Sequence, residues 1–141
     1  MTLHIFNPEH DLALAADMPT FTPPHAARQL RHDLGFIPAL WASDGDVVLV
    51  DNKGWAEKEL PKVKAMLRRI GVDITNNVSF IAESEIHNLN IDDIRPFDDN
   101  YINEKYDNDD YWCIGGFAKK LKDGSIVIWF GKDFKNLEKF N

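Results

Sequence analysis

The hydrophobic positions in the first part of the chain follow two different periods. Short, mainly apolar runs at 2–6 and 47–51 are typical of buried strands, and 72–74 and 78–81, on either side of a turn at Asn76-Asn77, form a third strand region. Between these runs, apolar residues recur with helical spacing over 24–34 and 55–70. The order strand, helix, strand, helix, strand predicts a parallel sheet that is covered by helices.

A glycine follows each of the two predicted helices. Gly35 ends the first helix, in which one stripe is apolar and is expected to pack on the sheet, namely Ala26, Ala27, Leu30 and Leu34. Gly71 is a suitable C-cap for the second helix. Pro61 interrupts the second pattern, so this helix either starts near Leu60 or bends at the proline.

The pattern changes beyond the third predicted strand. A short helix is predicted over 82–94, and the acidic, asparagine-rich stretch 97–110 is expected to be an exposed connection. Two strands flank Asp123-Gly124, because this pair takes the positive φ that a tight hairpin turn needs. Residues 132–140 are predicted to form a terminal helix.

Together these elements predict a single α/β domain over residues 1–141. Residues 1–96 are expected to form a Rossmann-like, mostly parallel sheet flanked by helices, and 97–110 an acidic connection. A C-terminal β-hairpin and a short helix are expected over 111–141. A chain of this length can bury a sizeable core without disulfides.

Charge and composition exclude several classes of protein. The formal net charge is -7, and most of it lies in 92–110, where eight acidic residues face only Arg95 and Lys105. Without a basic stripe, nucleic-acid binding is not expected. No leader pattern and no apolar run of about 18 residues is present, so we expect a cytoplasmic protein with no membrane partner. The single cysteine, Cys113, fits a reducing compartment.

The candidate site lies where the first predicted strand ends. Asn7-Pro8 breaks the apolar run, and Glu9, His10 and Asp11 follow side by side. In open α/β folds ligands bind at the carboxyl ends of the strands. These side chains could act as an acid, a base or metal ligands. Alternatively, His10 or Asp11 only caps the turn after the strand.

The start of the first helix adds a second group of candidates. His25 lies at this start and Arg28 about one turn further on, where free N–H groups and the helix dipole favour an anion. The alternative is a solvated polar face. His25 and His32 lie about 10.5 Å apart along the axis, too far to share a metal, and no metal site is predicted. The predicted site for a small anionic ligand comprises Asn7, Glu9, His10, Asp11, His25 and Arg28.

Two further residue types are assigned to the core. His4 lies within the first predicted strand and is expected to be a buried histidine with a satisfied hydrogen bond. The large indole rings are expected to anchor the core, at Trp41, Trp55, Trp112 and Trp129.

Three stretches resemble a known family: FNPEHDLALA at 6–15, PHAARQLRHDLGF at 24–36 and PALWA at 38–42. They are similar to the N-terminus of an uncharacterised bacterial family whose full-length members carry an ATP-grasp-like nucleotide-binding part further along. The resemblance covers residues 3–51, with weaker similarity to about residue 96. It implies a Rossmann-like pre-ATP-grasp domain, which in ATP-grasp enzymes helps to form the substrate cleft.

The nucleotide-binding core of that family is not found in this chain. No strand ends in a lysine followed by a Gly/Ser-rich phosphate loop, and Gly115-Gly116 fits neither the dinucleotide fingerprint nor the P-loop. The resemblance therefore implies a small-ligand-binding or partner-binding module. Its cofactor is unknown, and the sequence leaves open whether it is an enzyme.

Two alternatives belong to other functional classes. The first is a stand-alone hydrolase, metal-assisted or acid/base, that uses Glu9, His10 and Asp11. The second is a protein–protein interaction domain in which an exposed edge of the hairpin pairs with another chain.

Overall fold

The computed structural model describes residues 1–9, 12, 24–96, 117–120, 126–129 and 138–140. The predicted acidic connection and the turn at Asp123-Gly124 lie outside these residues, as does Cys113.

Four strands form one parallel sheet. They are β1 (Thr2–Ile5), β2 (Val47–Leu49), β3 (Ser79–Ile81) and β4 (Asp93–Pro96). Their order across the sheet is β3-β2-β1-β4, and each neighbouring pair is parallel. The predicted mixed α/β class is therefore confirmed.

The helices connect these strands. They are α1 (His25–Leu34), a 3₁₀ helix at Ile37–Leu40, α2 (Lys53–Arg69) and a second 3₁₀ helix at Glu83–Asn88. A Cβ atom at Gly35 would lie 2.8 Å from the carbonyl oxygen of Arg31, so the close chain path just after α1 requires glycine.

The start of α2 differs from the sequence prediction. The helix begins at Lys53 and continues through Pro61, so a start near Leu60 is wrong. Asn52 explains the early start, because its side-chain oxygen accepts a hydrogen bond of 3.0 Å from the backbone nitrogen of Trp55. Pro61 lacks an N–H group, and α2 tolerates the loss of that one backbone bond.

Strand β4 is the main element that the sequence analysis missed. The short helix predicted within 82–94 is the 3₁₀ helix Glu83–Asn88, but its extension to Ile94 is wrong, since Asp93–Pro96 pair with β1. The backbone nitrogen of Asp92 also donates to the carbonyl oxygen of Met1 over 2.9 Å. These backbone contacts to a distant strand decide the conformation, and a local apolar pattern does not report them.

The sheet buries apolar residues on both faces, because successive side chains of a strand point to opposite sides. Leu3 and Ile5 belong to one face, with Val47, Leu49, Ile81 and Ile86. Val48 belongs to the other face, with Phe36, Ala39, Val50, Ala56, Leu60 and Phe80. The predicted core histidine is confirmed: His4 is 5% exposed and contacts Asp46.

Helix α1 does not pack as its apolar stripe predicts. None of its residues is buried, and Leu30 remains 43% exposed. Polar contacts hold the helix instead, including a 3.0 Å hydrogen bond from Trp55 Nε1 to the carbonyl oxygen of Asp33. Apolar burial begins only after the helix, at Phe36.

The tryptophans only partly follow the core prediction. Trp41 is 53% exposed, so its assignment to the core is wrong, and Trp55 is half-buried. Trp41 follows the 3₁₀ helix Ile37–Leu40, whose Pro38 and Ala39 fill the interior in its place. The side chains of Trp112 and Trp129 lie outside the described ones.

Asn76 connects this 3₁₀ helix to the segment before β3. Its side-chain nitrogen donates to the carbonyl oxygens of Ala39 and Ala42, over 2.8 Å and 2.6 Å. The edge strand β3 and the 3₁₀ helix are therefore tied together by a side chain as well as by packing.

Three antiparallel strands form a second sheet: β5 (Phe117–Lys120), β6 (Ile126–Trp129) and β7 (Glu138–Phe140), in this order. A terminal helix is wrong at 138–140, because β7 obtains backbone partners by pairing with β6. In this sheet β6 is the inner strand, so the hairpin edge of the protein-interaction hypothesis would be the outer strand β5, and its pairing with another chain stays a prediction.

The core packing predicts a contrast between two apolar truncations. Leu3 is fully buried on the central strand, so Leu3→Ala is expected to lower the free energy of unfolding by about 2–5 kcal/mol in urea denaturation. Met66 is 64% exposed, and Met66→Ala is expected to change it by less than about 0.5 kcal/mol. Equal effects of the two substitutions would contradict this position of β1.

Candidate functional site

The carboxyl ends of β1 and β2 bring together the polar residues that follow each strand. Asn7 and Glu9 follow β1, and Asp51 follows β2. The strand order reverses between β1 and β4, since the chain moves from β1 to β3 in one direction and returns to the opposite side of β1 for β4. Open α/β sheets bind ligands at such a reversal.

A buried ion pair is the centre of this site. Glu9 is 1% exposed, and its Oε1 accepts a 2.8 Å hydrogen bond from Nη1 of Arg31 on α1. Nε of Arg31 lies 4.0 Å from Oδ1 of Asp51. Asn7, which lies between β1 and Glu9 in the sequence, is fully buried. One guanidinium therefore lies between two carboxylates.

The burial of Glu9 controls its protonation. Desolvation raises the pKa of its carboxyl group, and the nearby charge of Asp51 adds to this effect. The charge and hydrogen bond of Arg31 act in the opposite direction but do not outweigh the burial. Glu9 thus holds a proton to a higher pH than an ordinary glutamate.

The second carboxylate oxygen of Glu9, Oε2, is a hydrogen-bond acceptor to which no described residue donates. Within the described part of the chain, Oε2 is buried and has no hydrogen-bond partner. Buried polar atoms nearly always have one, and leaving one without costs about 1–3 kcal/mol. A donor group of a bound molecule would remove this penalty.

A second ion pair lies at the same edge of the sheet. Nζ of Lys53, at the start of α2, contacts both carboxylate oxygens of Glu85 over 3.0 and 3.1 Å. The backbone hydrogen bond from Ala82 and the contact with Lys53 lower the pKa of Glu85. Both side chains are about two-fifths exposed, so this pair forms a rim and not a buried centre.

The structure joins only part of the predicted site. Asn7 and Glu9 lie at the strand end as expected, whereas His10 and Asp11 lie outside the described residues. His25 and Arg28 are exposed on α1. The arginine that contacts Glu9 is Arg31 and not Arg28.

Sequence reasoning therefore missed Arg31 and did not connect Asp51 to the site. Arg31 lies four residues after Ala27, so it falls beside the apolar stripe of α1 and on the face toward the sheet. A cation at that position, with acids at the ends of two strands, is the signal that could have identified the pair.

Neither a metal centre nor a membrane span emerges from the described residues. Among them, no group of three or more His, Cys, Asp and Glu side chains is placed to hold a metal ion. None of the described helices combines the length and apolar character needed to cross a bilayer. Comparison with protein families, with curated proteins and with solved structures identifies no match to this chain.

Removing one partner of the buried pair is expected to be costly. Arg31→Met should lower the free energy of unfolding by about 3–5 kcal/mol at pH 7, because it leaves the carboxylate of Glu9 buried without its cation. The exposed control Arg69→Met should change it by less than about 0.5 kcal/mol. In the Glu9→Gln background, Arg31→Met should cost less, and equal costs in both backgrounds would refute the coupling.

The raised pKa of Glu9 predicts the sign of a pH effect. The folded state binds the proton of Glu9 more tightly than the unfolded state, so this contribution to stability is complete below about pH 4.3 and is lost as the pH rises through the folded pKa. The stability difference, wild type minus Glu9→Gln, should therefore fall as the pH rises above about 4.3. Urea denaturation across this range measures it, and a rising difference would reverse the assignment.

Proposed function

We propose that this chain is a small-ligand-binding domain whose ligand occupies the carboxyl ends of β1 and β2. The observation that carries the proposal is the buried Oε2 of Glu9, which has no hydrogen-bond partner in the described chain and follows β1, one of the two strands between which the strand order reverses. The order β3-β2-β1-β4 is that of the first four strands of a Rossmann fold, which supports the Rossmann-like interpretation.

The local charge indicates the chemistry of the ligand. Glu9 and Asp51 carry two carboxylates against the one guanidinium of Arg31, and Glu9 offers an acceptor. A ligand that presents a hydroxyl or an amine N–H fits this arrangement better than a simple anion does. An anionic group on the same ligand would reach the start of α1, where His25 and Arg28 remain the hypothesis for its recognition.

The proposal agrees with the resemblance to a pre-ATP-grasp domain. Such a domain contributes to a substrate cleft, and a polar site at one sheet edge is what that role requires. On this view the chain binds its ligand and has little or no activity alone. Cytoplasmic location and a bacterial origin belong to the same proposal.

Acid/base catalysis by Glu9 is a second candidate, because its raised pKa suits a proton-transfer group. Hydrolysis of ester, phosphoester and glycoside reporter substrates by the wild-type chain would support it if Glu9→Gln abolished turnover. Turnover that survives in Glu9→Gln would assign the activity to other residues.

A thermal-shift screen tests the binding proposal. The panel comprises polyols, amino acids, dicarboxylates, phosphate, nucleotides and divalent metal ions. A ligand at 100 times its Kd should add about 2.7 kcal/mol of stability. The shift should disappear in Glu9→Gln and persist in Glu57→Gln, an exposed glutamate on α2.

Two other outcomes of the screen have defined meanings. A shift that depends on Arg28 but not on Glu9 would favour an anion site at the start of α1 over the Glu9 site. The absence of any shift across the whole panel would contradict the small-ligand proposal and favour partner binding.

A further inference from the structure

A cavity of about 600 Å³ lies on the sheet face that α2 covers, away from Glu9. Its polar wall includes His4, Asp46 and Arg95, and its apolar wall includes Pro38 and Trp41. This volume lies within the range of small-molecule sites, about 300–1,000 Å³.

The cavity is separate from the candidate site at the carboxyl ends. Asp46 immediately precedes β2 and Asp51 follows it, so five steps along an extended chain separate them, about 16 Å at roughly 3.3 Å per step. Neither Glu9 nor Arg31 lines the cavity. An inference about this cavity therefore does not rest on the function proposed for the other edge.

Asp46 fixes the polar wall of the cavity. Its carboxylate accepts hydrogen bonds of 3.0 Å from the backbone nitrogens of Thr2 and Ser43, and Nε2 of His4 lies 3.0 Å away. Burial works against the charge of Asp46, but these bonds outweigh it and hold the pKa of this carboxyl below its ordinary value. Asp46 is thus an acceptor only, and Nε2 of His4 carries the hydrogen.

This arrangement leaves one nitrogen of His4 for a ligand. Asp46 contacts Nε2 of His4, so Nδ1 is the ring nitrogen that remains for a ligand. His4 lines the cavity and is only 5% exposed. The cavity therefore contains a polar ring that is held in a largely desolvated position.

Arg95 supplies a positive charge beside His4. The two residues are register partners on β4 and β1, so their side chains leave the same face of the sheet. The Arg95 side chain is 70% exposed, and its Nε lies 3.2 Å from Oδ2 of Asp93. Its remaining N–H groups can bind a carboxylate in the bidentate manner typical of arginine.

Trp41 gives the cavity a flat apolar wall. Trp41 is 53% exposed, although it lines the cavity together with the buried Pro38. An aromatic ring that stacks on it would bury this surface, and such pairs contribute about 0.5–1.5 kcal/mol beyond area alone.

We propose that the cavity binds a hydroxylated aromatic carboxylate. The ring packs on Trp41, the carboxylate contacts the guanidinium of Arg95, and the hydroxyl forms a hydrogen bond with Nδ1 of His4. Each part of the ligand contacts one residue of the cavity wall. Removing these parts one at a time therefore tests each contact directly.

Calorimetric titration with 4-hydroxybenzoate and its 3-hydroxy isomer provides the probe. Three analogues each lack one feature: benzoate lacks the hydroxyl, 4-hydroxybenzamide lacks the charge, and 4-hydroxycyclohexanecarboxylate lacks the aromatic ring. Loss of the hydroxyl should weaken binding roughly two- to tenfold, and loss of the charge about tenfold or more. Equal affinity for the acid and the amide would overturn the proposal.

Arg95→Gln tests the protein side with little risk to the fold, because Arg95 is exposed and its ion pair with Asp93 is at the surface. It should weaken 4-hydroxybenzoate about tenfold or more and leave 4-hydroxybenzamide unchanged. Arg69→Gln, at an exposed arginine on α2, should keep the wild-type affinity. The proposal fails if Arg95→Gln binds the acid as wild type does, or if no hydroxybenzoate binds the folded protein at millimolar concentration.

Discussion

The backbone pairing of β1 with strands on both sides is the constraint on which the rest of the structure depends. β1 lies between β2 and β4, although β2 comes some forty residues later and β4 some ninety later along the sequence. Closing these loops costs entropy that the packing of Leu3 and Ile5 must recover. The strands have only three or four residues, so the loops at both ends of the sheet lie close to β1. The two groups of buried polar side chains, around Glu9 and around His4, therefore lie in β1 or next to it.

The cost of burying polar atoms is offset differently in these two groups of side chains. At the carboxyl end, Glu9 is paired with Arg31 but keeps one oxygen without a partner in the described chain. On the cavity side, Asp46 satisfies its carboxylate with backbone nitrogens as well as with His4. The second arrangement is complete within the protein and fixes a side chain in place. The first is incomplete, which is why it carries the functional proposal.

The sequence predicted the elements whose signals are local. The apolar run before Asp51 indicates β2, and the position of Gly35 defines the end of α1. It did not predict β4, because Asp93–Pro96 form a strand by pairing with β1, which lies some ninety residues earlier in the sequence. Asn7 and Glu9 could be placed from the strand-end rule, but Arg31 could not, since a helical wheel gives its direction and not the residue that it contacts.

The two hydrogen bonds of Asn76 have a consequence for local motion. They attach the segment before β3, an edge strand, to the 3₁₀ helix whose Pro38 lines the cavity. Fraying of a sheet edge is among the cheapest openings of a folded protein. Here such an opening would release the cavity wall as well, so amide hydrogen exchange in β3 and occupancy of the cavity become thermodynamically linked quantities.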